Sequence, residues 1–306
     1  MAVDSVTVAA REQSYAEAGV SLAVADSVVA RLRAAVESTG ATGFGAFAGL
    51  QPLDDRRLLA ASTDGVGTKL MLARQRGQLA DCGRDLAAHC INDVLTTGAT
   101  PLMLLDYVAA AAIDLDQVAE LVEGAADVCR AAGVALVGGE TAELPGIYRD
   151  GELDFAGTCV GIVDRDELVD GRDVVTGDSV IGFASAGVHA NGFTLVRRVL
   201  ETEGYAGADL LAPTRLYLDE ARALRGRAKA FAHITGGGIL GNLSRVLPEG
   251  RHAEIEWGFW PRPPVFGWLA RHVDEDELRR VFNLGIGWCA VVAEPAPAEL
   301  VIGRIA

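Results

Sequence analysis

Lysine is nearly missing from this chain. Of its 27 basic residues only Lys69 and Lys229 are lysines, and the rest are arginines. Positive charge is scarce as a class: the formal net charge is −15 at neutral pH. With no basic tail to offset it, that balance excludes nucleic acid or an anionic membrane surface as partner. No run of about 18 apolar residues occurs, so no membrane-spanning helix is expected. Met1 to Gln13 lacks the charged start and apolar core of a signal peptide, so a cytoplasmic protein is expected. The five cysteines, Cys82, Cys90, Cys129, Cys159 and Cys289, include no Cys-x-x-Cys pair. A scattered, odd set reads as small buried hydrophobes in a reducing compartment. A Walker A loop is absent too.

What is present is glycine, 36 residues against 10 prolines in a chain of 306, half of it hydrophobic. That composition suits a soluble globular protein with many tight turns, long enough for two domains. One of the two lysines lies in Ser62-Thr63-Asp64-Gly65-Val66-Gly67-Thr68-Lys69, after the apolar run Leu58 to Ala61. A strand opening into a loop with two glycines lets the backbone turn tightly and its N–H groups face an anion. Asp64 can hold a cation and Lys69 offers a point charge for phosphate; a plain strand-end turn is the other reading.

Periodicity predicts a helix with Val24, Val28, Val29, Leu32 and Val36 on one face, then a glycine-rich loop, Thr42 to Phe47, as connector or flap. Further helices are predicted over 82–97 and 114–132, the second capped by Asp114. Strands are predicted at 58–62, 102–108, 134–137 and 154–163. This order makes an α/β sandwich with helices on one face of a sheet. The polar stretch 164–178 is expected to separate two domains, 1–166 and 167–306. Beyond it a strand, 179–184, and helices at 193–200, 211–224, 239–247 and around 265–272 are predicted, then a final strand from Phe282 onward.

Acids recur beside turns: Asp64, Asp93, and Glu140 with Glu143 in Gly138-Gly139-Glu140-Thr141-Ala142-Glu143. Carboxylates from separate elements suit a hard cation with a nucleotide's phosphates, although Asp beside Gly is also ordinary turn chemistry. His189, in Gly187-Val188-His189-Ala190-Asn191-Gly192, is a candidate proton donor or acceptor between strand and helix. Thr235-Gly236-Gly237-Gly238 has the character of an anion nest, with three glycines hard to justify as packing. His233 reads as structural; His89, His252 and His272 carry no metal-site spacing.

The motifs at 62–69, Asn92-Asp93 through Gly98-Ala99-Thr100-Pro101, and Val137 to Gly146 resemble those of the phosphoribosylformylglycinamidine cyclo-ligase (AIR synthetase) family. Gly187 to Gly192, Leu211-Ala212-Pro213-Thr214-Arg215, His233 to Gly238 and Phe282 to Gly287 follow in matching order, so the resemblance runs from about Ser14 to Val292. It implies an α/β (α+β) chain: a ferredoxin-like N-terminal domain that pairs in a homodimer, and a C-terminal substrate domain. It implies ATP-dependent ring closure of formylglycinamidine ribonucleotide in purine biosynthesis. Catalytic roles fall to His189, Lys69 and Asp93. ATP contacts fall to Asp64, Gly65, Gly67, Thr68, Lys69, Asp93, Gly138, Gly139, Glu140 and Thr141, with Mg²⁺ on Asp64, Asp93 and Glu140. Substrate contacts fall to His189, Asn191, Thr235, Gly236 and Gly237. The chain departs from the family after Val292, where a helix usual before the Ile-Gly-x-Ile strand is missing. A sibling enzyme such as a thiamine-phosphate kinase, or a nucleotide-binding protein without turnover, are the rival readings.

Overall fold

The computed structural model describes residues 14–41 and 44–306, so Thr42 and Gly43 of the glycine-rich loop lie outside the described residues. The predicted first helix is present as α1 (Leu22–Glu37). Its apolar stripe is exposed: Val24, Val28 and Leu32 are 60%, 49% and 49% accessible. After β1 (Gly49–Pro52), β2 (Arg57–Gly65) runs three residues further than its apolar start suggests. Ser62, Thr63 and Asp64 are therefore strand residues, and Lys69 opens α2 (Lys69–Gln75).

α3 (Leu79–Leu95), β3 (Thr100–Ala110), α4 (Leu115–Ala132), β4 (Ala135–Glu143) and β5 (Leu153–Asp164) complete the first layer. Asp114 caps α4 as expected, accepting from the N–H groups of Asp116 and Gln117, and Gly133 ends it in the left-handed conformation. The sheet order is β1-β2-β5-β3-β4, with β3 and β4 parallel across α4 and the other neighbours antiparallel.

Alternation along the strands divides the sheet into two unlike faces. Leu58, Ala60, Leu104, Val108, Phe155 and Cys159 are buried in the main apolar core with Leu86, Ile91 and Val94 of α3. The other face carries Met103, Leu105 and Tyr107, which are 37–40% accessible, beside Val160, Thr158 and Ala156 in register.

The second sheet is wholly antiparallel, in order β7-β9-β6-β10-β8. It is built from β6 (Ser179–Ala184), β7 (Ala228–His233), β8 (Ala253–Ile255), β9 (Ile286–Val292) and β10 (Val301–Ile305). β9, flanked by β7 and β6, is buried at every residue. The helices are α5 (Phe193–Thr202), α6 (Leu218–Ala223), α7 (Gly238–Leu243), α8 (Pro264–Leu269) and α9 (Glu275–Val281). The helix predicted over 211–224 shrinks to α6, because Ala212 to Tyr217 give their backbone groups to the first domain instead of to a helix. Residues 293–300, where the resemblance implies a helix, form a loop, and β10 inserts between β6 and β8. All five cysteines are free and buried, as read from their spacing.

α3 and α4 touch through glycine. A Cβ on Gly83 would lie 2.0 Å from the Leu121 carbonyl oxygen, and one on Gly124 would lie 2.0 Å from that of Ala80. Gly124→Ala is therefore expected to lower stability by about 1–3 kcal/mol through overpacking. Urea unfolding followed by circular dichroism checks it, and an unchanged midpoint would contradict this packing.

Candidate active site at the seam between the domains

α3 is buried along nearly its whole length, yet Asp85, His89, Asn92 and Asp93 all sit within it. Their spacing, i, i+4, i+7 and i+8, puts four polar side chains on one helical face. A buried polar group is stable only with a partner, and here each partner comes from another element.

Asp85 forms an ion pair with Lys69, Nζ to Oδ2 at 2.6 Å, and neither side chain has any exposed surface. Its Oδ1 accepts from the N–H and the hydroxyl of Thr214, both at 2.8 Å. Lys69 also donates to the Ala212 carbonyl at 3.2 Å. Asn92 accepts from the Tyr217 N–H and donates to the Arg215 carbonyl.

One turn on, His89 Nδ1 lies 3.0 Å from Asp64 Oδ2, while the Gly65 N–H donates to Asp64 Oδ1. His233, at the end of β7, sets its Nδ1 2.8 Å from Asp93 Oδ1, and Asp93 Oδ2 accepts from Ser62. The two imidazoles meet edge to face with centroids 5.0 Å apart. Burial lowers the His89 pKa, but the hydrogen bond and charge of Asp64 outweigh it, and the net shift is upward. Burial likewise raises Asp64, and His89 brings it below the usual carboxylate value. In His233 burial prevails over Asp93 and the pKa falls.

His189 is buried and holds a positive φ of 66°. The Ala186 N–H donates to its Nε2 at 3.2 Å, so the proton of the neutral ring sits on Nδ1, a buried atom with no partner among the described residues. Burial, followed by the charges of His89, His233, Lys69 and Arg215, holds its pKa well below the ordinary value. Asn191, two residues on, approaches Gly236: a Cβ there would be 3.6 Å from Asn191 Oδ1. The two substrate loops named from sequence are thus neighbours.

Packing explains one of the three glycines that seemed to exceed it. A Cβ on Gly238 would fall 1.8 Å from the Arg279 carbonyl oxygen. Gly237, at φ 100°, is needed for its backbone.

Other expectations meet a different placement. Lys69 has no exposed surface with which to meet a phosphate. Gly138 to Thr141 are strand residues of β4, at the sheet edge. In register, Glu140 pairs with Tyr107, Tyr107 with Ala156, and Ala156 with Gly65. Glu140 therefore lies three strand spacings, about 14 Å, from Gly65, on the face opposite to Asp64. Among the described residues no group of three His, Cys, Asp or Glu is arranged to hold a metal ion. Asp64, Asp93 and Glu140 of one chain do not fit a shared Mg²⁺. His89, passed over for want of spacing, is the partner of Asp64; the polar stripe on an otherwise apolar helix was its signal.

Two cavities flank the seam. One of about 320 Å³ is lined by Gly67, Thr68, Arg74, Tyr148 and Asp154. The other, about 720 Å³, carries Arg33, Arg165, Arg172 and Arg245 around Phe47. Arg245 donates to the carbonyls of Gly45 and Ala46 and stacks 3.9 Å from the Phe47 ring centroid, so the described part of the glycine-rich loop is tied to the second domain.

The AIR synthase related protein N-terminal domain matches residues 45–163 and the corresponding C-terminal domain matches residues 175–302. A phosphoribosylformylglycinamidine cyclo-ligase of Synechococcus sp. (strain CC9605) is 48% identical over 93% of this chain and 89% of its own length. That of Sorangium cellulosum is 46% identical over 92% and 89%, and the chloroplastic/mitochondrial protein of Vigna unguiculata 44% over 95% and 78%. Among solved structures, thiamine monophosphate kinase from Aquifex aeolicus superposes with a TM-score of 0.66 at 17% identity, over 91% of this chain and 94% of that one. T. maritima PurL complexed with FGAR gives 0.59 at 19%, over 87% and 44%. At such identities these two show a shared fold.

His189 and His233 both titrate lower folded than unfolded. Below about pH 6.5 the unfolded chain binds more protons at these sites, so stability falls with pH at up to about 1.4 kcal/mol per unit for each. His89, shifted upward, acts in the opposite sense. The melting midpoint is expected to drop between pH 7 and pH 5.5, and to drop less in His189→Asn; an equal drop in both would contradict the buried neutral ring.

Proposed function

The chain belongs to the AIR synthase related family, and on that premise we infer that it is the ATP-dependent ligase closing the imidazole ring of formylglycinamidine ribonucleotide. The observation that carries this reading is the near end-to-end match to cyclo-ligases at 42–48% identity. The products are aminoimidazole ribonucleotide, ADP and phosphate, and the pathway is purine biosynthesis, for which a cytoplasmic location is the natural one. No described helix is long and apolar enough to cross a membrane.

In chemical terms, the formyl amide oxygen attacks the γ-phosphorus of ATP and ADP leaves. The amidine nitrogen then adds to the activated carbon, and phosphate departs with the former amide oxygen. Positioning and charge stabilisation carry most of such a reaction. ATP binding is supported by the neighbours solved with ATP or its analogues. Gly67 and Thr68 at the 320 Å³ cavity would face the nucleotide. Asn191 with Thr235 to Gly237 would hold the ribonucleotide, in reach of the arginine-lined cavity through Arg245. Asp64 and Asp93 are fixed by His89 and His233. His189, neutral and with its tautomer fixed by the Ala186 N–H, would serve as an N–H donor to a substrate oxygen instead of a proton shuttle once movement of its loop uncovers the buried, unpartnered Nδ1.

A homodimer fits the bare sheet face. Met103, Leu105 and Tyr107 with Val160 and Thr158 make an apolar surface that a second copy's sheet would cover. Glu140 faces the same side and would reach the cleft between subunits.

Purified protein given ATP and formylglycinamidine ribonucleotide is expected to form ADP and the aminoimidazole one for one. Phosphorylation of thiamine phosphate, or ATP binding without imidazole product, would favour a rival. His189→Leu should lower kcat by about 100-fold, the scale for losing one preorganised donor. His189→Asn keeps an N–H near Nδ1 and tolerates the positive φ, so it should lose about tenfold or less; equal losses would contradict the donor role. Sedimentation should show a dimer that Leu105→Glu dissociates, and a wild-type monomer at micromolar concentration would rule the pairing out.

A further inference from the structure

The geometry points to Lys69 as a positioning residue that pins the second domain's 212–214 segment and the start of α5 to the first domain, rather than as a ligand for phosphate. The observation is the closed shell around its ammonium. Asp85 Oδ2 lies at 2.6 Å, the Ala212 carbonyl at 3.2 Å, and the Phe193 ring centroid at 5.5 Å. Both charged side chains are without exposed surface, so a phosphate oxygen could reach Lys69 only by displacing a member of this shell. The other oxygen of Asp85 is already shared by the Thr214 N–H and hydroxyl. Next to the pair, Thr68 and Thr194 join their hydroxyls at 3.0 Å.

Every one of these second-domain contacts falls on Ala212 to Thr214 or on the first two residues of α5. Gly192, which precedes Phe193, ends the loop that carries His189 and Asn191. Lys69 thus acts through α5 on the position of that loop. This also accounts for the choice of lysine in a chain that otherwise uses arginine: a pocket closed by one carboxylate, one carbonyl and a ring face suits a compact ammonium and has no room for a planar fork.

The inference rests on the ligase reading for its turnover readout, and direct ATP binding keeps its test separate. A buried ion pair that loses one member leaves an uncompensated charge, whereas neutralising both relieves it. Lys69→Met is therefore expected to lower the melting midpoint and cut kcat by about tenfold or more, with ATP affinity within about threefold of wild type. Adding Asp85→Asn, which keeps an oxygen for Thr214, should restore most of the midpoint and of kcat. An ATP dissociation constant raised more than about tenfold in Lys69→Met, and still raised in the double variant, would overturn the assignment. Should the single variant not fold, the ATP affinity and midpoint of the double variant decide alone. A wild-type protein that binds ATP without forming the aminoimidazole would refute the ligase reading, while affinities and midpoints would still settle Lys69.

Discussion

Four polar side chains on one face of a buried helix are the constraint on which this molecule turns. Asp85, His89, Asn92 and Asp93 cannot be satisfied within α3, because its own backbone groups are already paired along the helix. The fold answers by bringing a second domain against that face. Thr214, Arg215, Tyr217 and His233 supply it with donors and acceptors, and Lys69 and Asp64 do so from the first domain. The seam is therefore both the bond between the domains and the place where reactive side chains collect.

The electrostatics of the seam follow from the same arrangement. A chain of net charge −15 needs locally placed cations to handle an anionic substrate, and Arg33, Arg165, Arg172 and Arg245 gather at the 720 Å³ cavity. Inside the seam the charges are matched instead: Lys69 with Asp85, His89 with Asp64. Burial first, and then the charges around it, hold the His189 pKa well below its ordinary value, and on the ligase reading the ring would hold a fixed hydrogen bond rather than carry a proton. Its positive φ and the Ala186 N–H set the direction of that bond.

Much of the fold was legible because its signals are local. The Asp114 cap, the apolar periodicity of α3 and α4 and the alternation of β5 depend on residues a few places apart. The misses have the opposite character. Helix was expected across 211–217, where Asn92 and Asp85 capture the backbone. Thr63 and Asp64 were placed in the loop, yet β5 extends them as strand through pairing with Thr158 and Gly157. α9 and the short strands of the second sheet have too little length to show a period.

The sequence by itself determined the family, the order of the motifs and the residue types that gather at the seam, since identity and spacing are properties of the chain alone. Only the tertiary structure decided what each of those residues touches. Lys69 carries the same charge in a glycine loop or beside Asp85, and Asp64 the same carboxylate beside a cation or beside His89. A side chain's role depends on its burial and on partners far away in sequence, and neither exists until the two domains close on α3.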